Sequence, residues 1–386
     1  MADKKRRKKE QAEYFFDYSL LFVVLFLLGF GLIMIYSVSS YEAQADYGDE
    51  AYYLKKKLLS SIIGVVAMIF VANIPYPIWR RFAGLGYIVA AVLIVMVPFF
   101  GVESHGAKRW LPIPGIGLTI QPAEVAKLCM ILFLANLVCK MGKSIQKLRG
   151  MFFLMVTAIP MVLLVWQLTD NLSSAIIILG ISVFMIFVAS PDYKGFIAIG
   201  VAGVAAVTGL VYYISQMQMS EDMGFRFKRI LTWLNPEAYA DSTGFQTIQA
   251  LYAIGSGGIL GKGLGQSMQK LGFIPEAQND MIFSIICEEL GLFGAVLIIF
   301  MFILLLWRMM VIATNAPDLF GSLLVVGVMG HIAIQVILNI AVVTNTIPNT
   351  GISLPFISYG GTSVLFLLIE IGLVLNVARR IQLKEV

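Results

Sequence analysis

Ten apolar runs, each long enough to cross a lipid bilayer as a helix, dominate this sequence of 386 residues. A spanning helix needs about 20 apolar residues. The chain is 59% hydrophobic and 13% charged, whereas about a quarter of the residues in a soluble domain are charged. One soluble core could not bury so many apolar side chains, so the sequence predicts an all-α polytopic membrane protein with about ten transmembrane helices. The predicted spans are 15–36, 58–74, 83–100, 122–139, 151–168, 173–190, 196–215, 282–307, 320–343 and 362–378.

The basic residues predict that both termini are cytoplasmic. The sequence KKRRKKE at 4–10 precedes the first span, and clusters of Lys and Arg remain on the cytoplasmic side of membranes. An even number of spans then gives one membrane domain, 15–380, between cytoplasmic tails at 1–14 and 381–386. Lys55–Lys57, on the predicted outer side close to a span, are the exception to this rule. The predicted inner loops carry Arg80, Arg81, Lys140, Lys143, Lys147, Arg149, Lys194, Arg308, Arg379, Arg380 and Lys384.

The remaining composition gives no sign of nucleic-acid binding or of a structural metal. The net charge of +5 is accounted for by basic residues in short loops between spans. His105 and His331 are too few and too far apart for a zinc site. Cys129, Cys139 and Cys287 each lie in an apolar run, which predicts small buried side chains rather than disulfides.

Three loops on the predicted outer side carry most of the polar motifs: 101–121, 216–281 and 344–361. The second is too long to be a simple connection, and long ordered loops are usually functional. It contains Phe225–Leu234 (FRFKRILTWL), which predicts an amphipathic helix on the membrane surface. A second short helix is predicted at 244–254.

In that surface helix the basic residues are expected to face lipid headgroups. They are Arg226, Lys228 and Arg229, and Trp233 would anchor the helix at the interface. The glycine run at 255–265, GSGGILGKGLG, matches neither a dinucleotide-binding nor a Walker motif. It predicts either a tightly turning loop or a segment whose backbone amides and Lys262 approach an anionic headgroup.

Two groups of charged residues near the outer ends of the spans are candidates for function. Lys108 and Arg109 in GAKRW either anchor the chain at the membrane interface or bind substrate. Glu124 and Lys127 are three residues apart, so they share a helix face. Charges inside a span are expensive and usually mark a site, although a structural ion pair remains open.

Asp280 stands where the long polar loop meets the eighth span. If the helix begins near Asn279, Asp280, Ser284 and Glu288 share one face. The helix N-terminus would then lower the pKa of Asp280 and keep it ionised. On residue type alone, Asp280 is either an N-terminal cap or a general base.

Several motifs together resemble the SEDS family (shape, elongation, division and sporulation proteins). They are GAKRW, QPAEVAK, AIGSGGILGKGLGQSMQKLGFIPEA, IPEAQNDMIFSIICEELGLFGA and LPFISYGGTS, and they occur in the family's order from the first span to Arg380. The wording ISLPFISYGG and CEELGLFG is more similar to the FtsW and SpoVE branch than to RodA. Two departures are Ala123 in place of the family's serine and Asn171 in place of an acid, so no role is assigned to Asp170 or Asn171.

The resemblance implies a peptidoglycan glycosyltransferase that polymerises lipid II at the outer face of the bacterial cytoplasmic membrane. The family's essential acid falls on Asp280, which is assigned as the general base. The substrate-binding candidates that the motifs and the resemblance supply are Lys108, Arg109, Glu124, Lys127, Lys262, Lys270, Gln278 and Ser358.

The predicted partners are lipid II, a class B penicillin-binding protein and other proteins of division or elongation. The cations would stabilise the leaving diphosphate, with or without a divalent cation such as Mg²⁺ or Mn²⁺. The alternative function is a flippase that moves lipid II across the membrane, because ten helices and intramembrane charges suit a transporter as well. A scaffold for cell-wall enzymes is a third interpretation.

Overall fold

The computed structural model describes residues 16–104, 107–112, 119–190, 194–216 and 225–382. The predictions for the basic segment 4–10, for His105 and for Lys384 fall outside these residues. The same is true of the predicted N-terminal tail and of most of the C-terminal tail.

Ten long helices and two short ones make up most of the described chain, so the all-α membrane class is confirmed. The two short helices, α8 and α9, lie in the predicted large loop. The helices are α1 Tyr18–Tyr47, α2 Tyr52–Asn73, α3 Tyr76–Phe100, α4 Pro122–Met141, α5 Leu148–Thr169, α6 Leu172–Ala189, α7 Lys194–Ser215, α8 Phe225–Leu234, α9 Phe245–Ser256, α10 Ile282–Thr314, α11 Leu319–Val343 and α12 Gly361–Ala378.

The long helices coincide with the ten predicted spans. Among the described residues, nine of these helices are long and apolar enough to cross a membrane. The tenth, α2, begins with a lysine-rich turn that includes Lys55–Lys57. Helix α1 extends eleven residues beyond the predicted end at 36, because the polar segment up to Tyr47 continues the helix until Gly48 closes it in the left-handed conformation.

The core of the bundle centres on α11, which packs against α4, α6, α10 and α12. In contrast, α7 has a single buried residue, Ile214, so this helix presents nearly all of its apolar surface outward. The bundle interior also contains a buried polar pair, His331 Nδ1 and Glu370 Oε2, at 2.8 Å. A polar side chain buried between membrane helices needs a hydrogen-bond partner, and these two side chains provide one for each other.

The described parts of the loops 101–121, 235–281 and 344–360 lie together at one end of the bundle, which we call the large-loop end. The opposite, short-loop end carries the connections at 74–75, 142–147 and 315–318. A three-stranded antiparallel sheet at the large-loop end was not predicted. It comprises β1 Val102–Ser104, β2 Ala107–Pro112 and β3 Thr119–Ile120, with β2 in the centre.

Helix α10 is broken at Gly291, whose φ of 65° and ψ of −162° are not helical. The glycine run fills this break: Lys262 N donates to Glu288 O at 3.0 Å, and Gly263 N donates to Glu289 O at 2.9 Å. Beyond the break, Leu292 N donates to Gly258 O at 2.9 Å. The backbone groups freed by the break are thereby satisfied inside the protein, which a membrane environment requires.

The glycine run lies so close to the backbone of α10 that two of its positions have no room for a side chain. A Cβ atom on Gly257 would lie 1.9 Å from Cys287 O, and one on Gly261 would lie 2.2 Å from Glu289 O. The glycine run therefore serves as a tightly turning loop that docks on α10. Its amides at Lys262 and Gly263 are bonded within the protein and are not directed at a headgroup.

Candidate active site

Asp280 lies at the large-loop end, two residues before the first residue of α10. The N-cap of α10 is Met281, without a side-chain cap, so the prediction that Asp280 caps the helix is wrong. Helical face-sharing with Ser284 also fails, because Asp280 precedes the helix. Its backbone is held from another helix instead: Asn339 Nδ2 on α11 donates to Asp280 O at 2.8 Å.

The same amide ties Asp280 to the loop that precedes α12. Asn339 Nδ2 also donates to Ile352 O at 2.7 Å, and Asn339 is completely buried. An ideal Cβ on Gly351, where φ is +69°, would lie 3.9 Å from Asp280 Oδ2. One asparagine thus fixes the acid against the segment 351–352, and Gly351 leaves room beside the carboxylate.

The carboxyl group of Asp280 is half-buried, and burial raises its pKa to about 6. Its own backbone N–H lowers the pKa, Glu276 raises it and Arg229 lowers it, all by less than burial. The predicted depression of the pKa by the helix terminus is therefore wrong, because desolvation outweighs the local positive charge. A carboxylate with a pKa near 6 is a stronger base than an ordinary aspartate and is still mostly ionised at neutral pH.

Arg229 is close enough to Asp280 for each charge to affect the other's pKa. Burial lowers the pKa of Arg229, and the charge of Asp280 offsets part of that effect. Its Nη1 donates to Asn349 O at 3.0 Å, and Trp233 Nε1 donates to Asn345 O at 3.0 Å. Helix α8 therefore docks on the loop 344–360, and the expectation that Arg229 faces lipid headgroups is wrong.

Arg109 lies on β2 and approaches the same site. Its Nη2 donates to Asp170 O at 3.1 Å, and its charge lowers the pKa of Arg229, which places the two guanidinium groups near each other. Lys108 is exposed and its Nζ lies 3.4 Å from Pro98 O, away from this group. Asn171 caps α6 by accepting a hydrogen bond from Ser174 N at 3.0 Å.

Gln278 and Ser358 shape the backbone around the site. Gln278 O accepts a hydrogen bond from Tyr359 N at 2.8 Å. Ser358 Oγ accepts from Leu354 N at 2.7 Å and closes a buried turn. Gln278 therefore holds the loop 344–360 against the segment that carries Asp280, and Ser358 stabilises a turn within that loop.

Lys262 and Lys270 belong to a different group, which we call the acid–lysine layer: Lys262, Lys270, Glu288 and Glu289. Lys262 Nζ lies 2.7 Å from Glu288 Oε1, and Lys270 Nζ lies 2.9 Å from Glu289 Oε1. Ser37 Oγ donates to Glu289 Oε2 at 2.7 Å, and both carboxylates are inaccessible to solvent. These lysines neutralise buried acids at the break in α10.

Glu124 and Lys127 form a buried ion pair in the first turns of α4, with Oε1 and Nζ 2.7 Å apart. The predicted shared face is confirmed, and the geometry is that of a structural pair. Among the described residues, no three His, Cys, Asp or Glu side chains converge as a metal site. The arrangement therefore brings together Asp280, Arg229 and Arg109, and it keeps the predicted lysines and Glu124 apart from them.

Comparison with known proteins shows the family of this chain. The family model of FtsW, RodA and SpoVE, described as "Cell cycle protein", matches residues 18–383. The chain belongs to this family. It is 41% identical to stage V sporulation protein E of Bacillus subtilis (strain 168) over 366 residues, which is 94% of this chain and 97% of that protein.

Another family member has a name that states an activity. A protein named probable peptidoglycan glycosyltransferase FtsW, from Trichlorobacter lovleyi, is 37% identical over 98% of this chain and 96% of its own length. A chain from a structure entitled "Structural coordination of polymerization and crosslinking by a peptidoglycan synthase complex" is 25% identical with a TM-score of 0.76, covering 94% of this chain and 98% of that one. The crystal structure of RodA from Thermus thermophilus has a TM-score of 0.67 and shares the fold.

Two residues at the site of this chain were not selected as site residues from the sequence. Arg229 was assigned to the membrane surface, since an amphipathic helix has the same pattern whether its polar face meets headgroups or a protein loop. Asn339 lies in the middle of an apolar run, ILNIAVV, and an isolated amide there is the signal that could have identified it. A buried polar group in a spanning helix requires a partner, and here the partners are the carbonyls of 280 and 352.

Proposed function

We propose that this chain is a peptidoglycan glycosyltransferase that polymerises lipid II at the outer face of the bacterial cytoplasmic membrane, in cell division or sporulation. The observation that carries the proposal is the proximity of a basic carboxylate, Asp280, to the guanidinium groups of Arg229 and Arg109 at one loop-covered end of the bundle. Family membership and the names of the relatives support the reaction class. The positive-inside bias supports the outward orientation.

The reaction transfers a glycosyl group from a lipid diphosphate to a sugar hydroxyl. Asp280 accepts the proton of the acceptor hydroxyl as its oxygen attacks the anomeric carbon of the donor. The bond between that carbon and the diphosphate oxygen breaks, and the electron pair leaves with the lipid diphosphate. One base and a direct displacement invert the anomeric centre. A pKa near 6 suits this role, because a general base works best when its pKa is near the working pH.

The developing negative charge on the diphosphate requires cations. Arg229 and Arg109 are assigned this role because guanidinium groups bind phosphate oxygens in a bidentate manner. Lys108, next to Arg109 on β2, is exposed and free of ion pairs to described residues, so it suits an outer contact with the headgroup. Lys262 and Lys270 could reach a phosphate only by leaving Glu288 and Glu289, so we assign them to the support of α10.

An apolar cavity offers a place for the polyprenyl tail. A space of about 490 Å³ opens between α1, α2 and the end of the glycine run. Ile33, Tyr36, Leu54 and Leu264 supply its apolar wall, and Lys270 lies at its polar side. Apolar pockets with a few polar groups are typical of ligand sites.

A divalent cation would bind mainly through the diphosphate of the substrate. The described residues offer no set of three ligands, but Asp280 and Glu276 lie near each other, and one or two carboxylates plus phosphates are the usual environment of Mg²⁺. When bound, the cation would supply further stabilisation of the leaving diphosphate.

We also propose a class B penicillin-binding protein as a partner, which would crosslink the strands that this chain makes. The similarity to a chain of a peptidoglycan synthase complex supports an assembly of this kind. Co-purification of the two proteins from membranes, with and without detergent wash, is the direct measurement.

The experiment that tests the function is polymerisation of purified lipid II in proteoliposomes. Asp280→Asn removes the base while preserving size, and we expect a loss of rate of at least about 10²-fold. Asp241→Asn is the matched control, since it removes an exposed carboxylate of the same loop that is assigned no role in the reaction. A correctly inserted Asp280→Asn protein that polymerises at the wild-type rate would contradict the assignment. Translocation of lipid II without polymer would instead favour the flippase.

A further inference from the structure

A second cavity lies at the short-loop end, far along the helices from the loops that surround Asp280. It has a volume of about 440 Å³ and opens between the start of α3 and the end of α4. Arg80, Arg81 and Lys140 line it together with an apolar wall. The wall includes Phe133, Leu137 and the bare backbone of Gly84, where an added Cβ would meet no atom within 4 Å.

The three cations have no carboxylate partner among the described residues. Arg80 Nε donates to the neutral Asn136 Oδ1 at 3.3 Å, and its guanidinium carbon lies 5.7 Å from the centre of the Phe320 ring. The nearby acid Asp318 is already used, because it accepts hydrogen bonds from Tyr76 Oη and Gly321 N, both at 2.7 Å. Three positive charges around one cavity repel each other unless an anion joins them.

We propose that this cavity binds the phosphate headgroup of an anionic membrane phospholipid. Basic pockets between helices on the cytoplasmic side of a membrane are suited to such headgroups. The adjoining face of α3 presents apolar side chains outward: Ile78, Phe82 and Leu85 are 41%, 54% and 57% exposed. An acyl chain leaving the cavity would lie along this surface, whereas a soluble phosphate compound would gain nothing from it.

The size of the cavity favours a phospholipid over the lipid-linked sugar precursor. A volume of about 440 Å³ is in the range of small-molecule sites. It suits a phosphodiester with a small polar group and cannot enclose a disaccharide that carries a peptide. The site is thus separate from the proposed active site, and its occupancy can be measured without any reference to polymerisation.

The test is native mass spectrometry of the full-length protein, released from nanodiscs that contain equal amounts of phosphatidylglycerol and phosphatidylcholine. The wild-type protein should retain phosphatidylglycerol preferentially. The double variant Arg81→Gln/Lys140→Gln should lose at least about tenfold in relative affinity, since each cation near a membrane surface contributes about fivefold. Lys143→Gln is the matched control: it removes an exposed basic residue of the same loop region that does not line the cavity.

A second variant separates charge from shape. Gly84→Leu fills the cavity while keeping all three cations, and the open space at Gly84 makes it compatible with the fold. It should reduce phosphatidylglycerol retention as strongly as the double variant does. Unchanged retention in both variants overturns the proposal.

Two competition arms distinguish the sources of phosphate. Phosphatidylglycerol should raise the melting temperature of the wild-type protein but not that of Gly84→Leu. Millimolar inorganic phosphate should not raise the melting temperature of either protein. An equal effect of inorganic phosphate would assign the cavity to a soluble anion, and displacement of phosphatidylglycerol by a stoichiometric amount of undecaprenyl phosphate would assign it to a polyprenyl lipid. Either result overturns the phospholipid assignment.

Discussion

The site around Asp280 and the acid–lysine layer both combine carboxylates with basic side chains, but they arrange them in opposite ways. In the layer, Glu288 and Glu289 are fully buried and each has a lysine within 3 Å. At the site, Asp280 is half-buried, has no ion pair with the described residues, and is held by its backbone through Asn339. Paired acids stabilise a structure, whereas an acid that is fixed by its backbone keeps its carboxylate available for proton transfer.

The comparison predicts that breaking the layer has the largest effect on stability. Among the described residues, Lys270→Met leaves buried Glu289 with Ser37 as its one hydrogen-bond donor, and loss of one partner of a buried pair costs about 3–5 kcal/mol. We expect a large fall in melting temperature measured in detergent. Lys270→Met combined with Glu289→Leu should recover most of the loss. A stable single variant with a slow polymerisation rate would instead move Lys270 into the active site.

The second-largest loss of stability is expected from a substitution in the glycine run, which supports the acid–lysine layer. Gly261→Ala places a Cβ 2.2 Å from Glu289 O at a φ of +79°, so the loop must leave the break in α10. We expect destabilisation of about 2–4 kcal/mol, measured by thermal unfolding. Gly258→Ala is the control, because Gly258 also has a positive φ, +57°, but an added Cβ there would meet no atom within 4 Å. Similar losses in the two variants would show that contact with Glu289 O contributes little.

At the active site, the raised pKa predicts a dependence of rate on pH. With a pKa of about 6, Asp280 loses its ionised form below pH 6, and kcat/KM should fall about tenfold per pH unit there. The measurement is lipid II polymerisation in proteoliposomes between pH 4.5 and 8, with melting temperature recorded at each pH. A rate that stays constant down to pH 5 would contradict the assignment of Asp280 as the base.

The smallest effect is on stability at the same residue. The folded pKa of Asp280 is raised from 3.8 to about 6, so the stability associated with its protonated form is present below pH 3.8 and is lost as the pH rises through 6. Asp280→Asn avoids that loss and should be more stable than wild type by roughly 1–2 kcal/mol at pH 8, with no gain at pH 3.5. A variant less stable than wild type at pH 8 would show that Asp280 contributes an attractive interaction instead.

The sequence predicted the membrane helices well and the electrostatics of the site poorly. Apolar runs define helix positions directly, and helix α8 matches its predicted range of 225–234. The pKa of Asp280 was predicted with the wrong sign, because the positive end of α10 can be inferred from sequence while burial by segments distant in the chain, such as 351–352, cannot. The helix break at Gly291 was also missed, since the apolar pattern of α10 continues through it.

The small sheet and the role of Arg229 illustrate the same limit. Strands β1 and β3 are three and two residues long, too short for any alternation to be visible. The partner of Arg229 is Asn349 O, 120 residues away in the chain. Local pattern shows which residues are polar, but the identity of a polar contact depends on the tertiary fold.

The acid–lysine layer has a consequence for the order in which the protein is made. Lys262 and Lys270 precede Glu288 and Glu289 by 26 and 19 residues, so both cations leave the ribosome before the acids they neutralise. A charge that enters a bilayer alone costs about 3 kcal/mol. When the part of α10 that carries Glu288 and Glu289 enters the membrane, the loop that carries its counter-ions has already been synthesised. The chain order thus allows the most charged part of this helix to be inserted with its partners present.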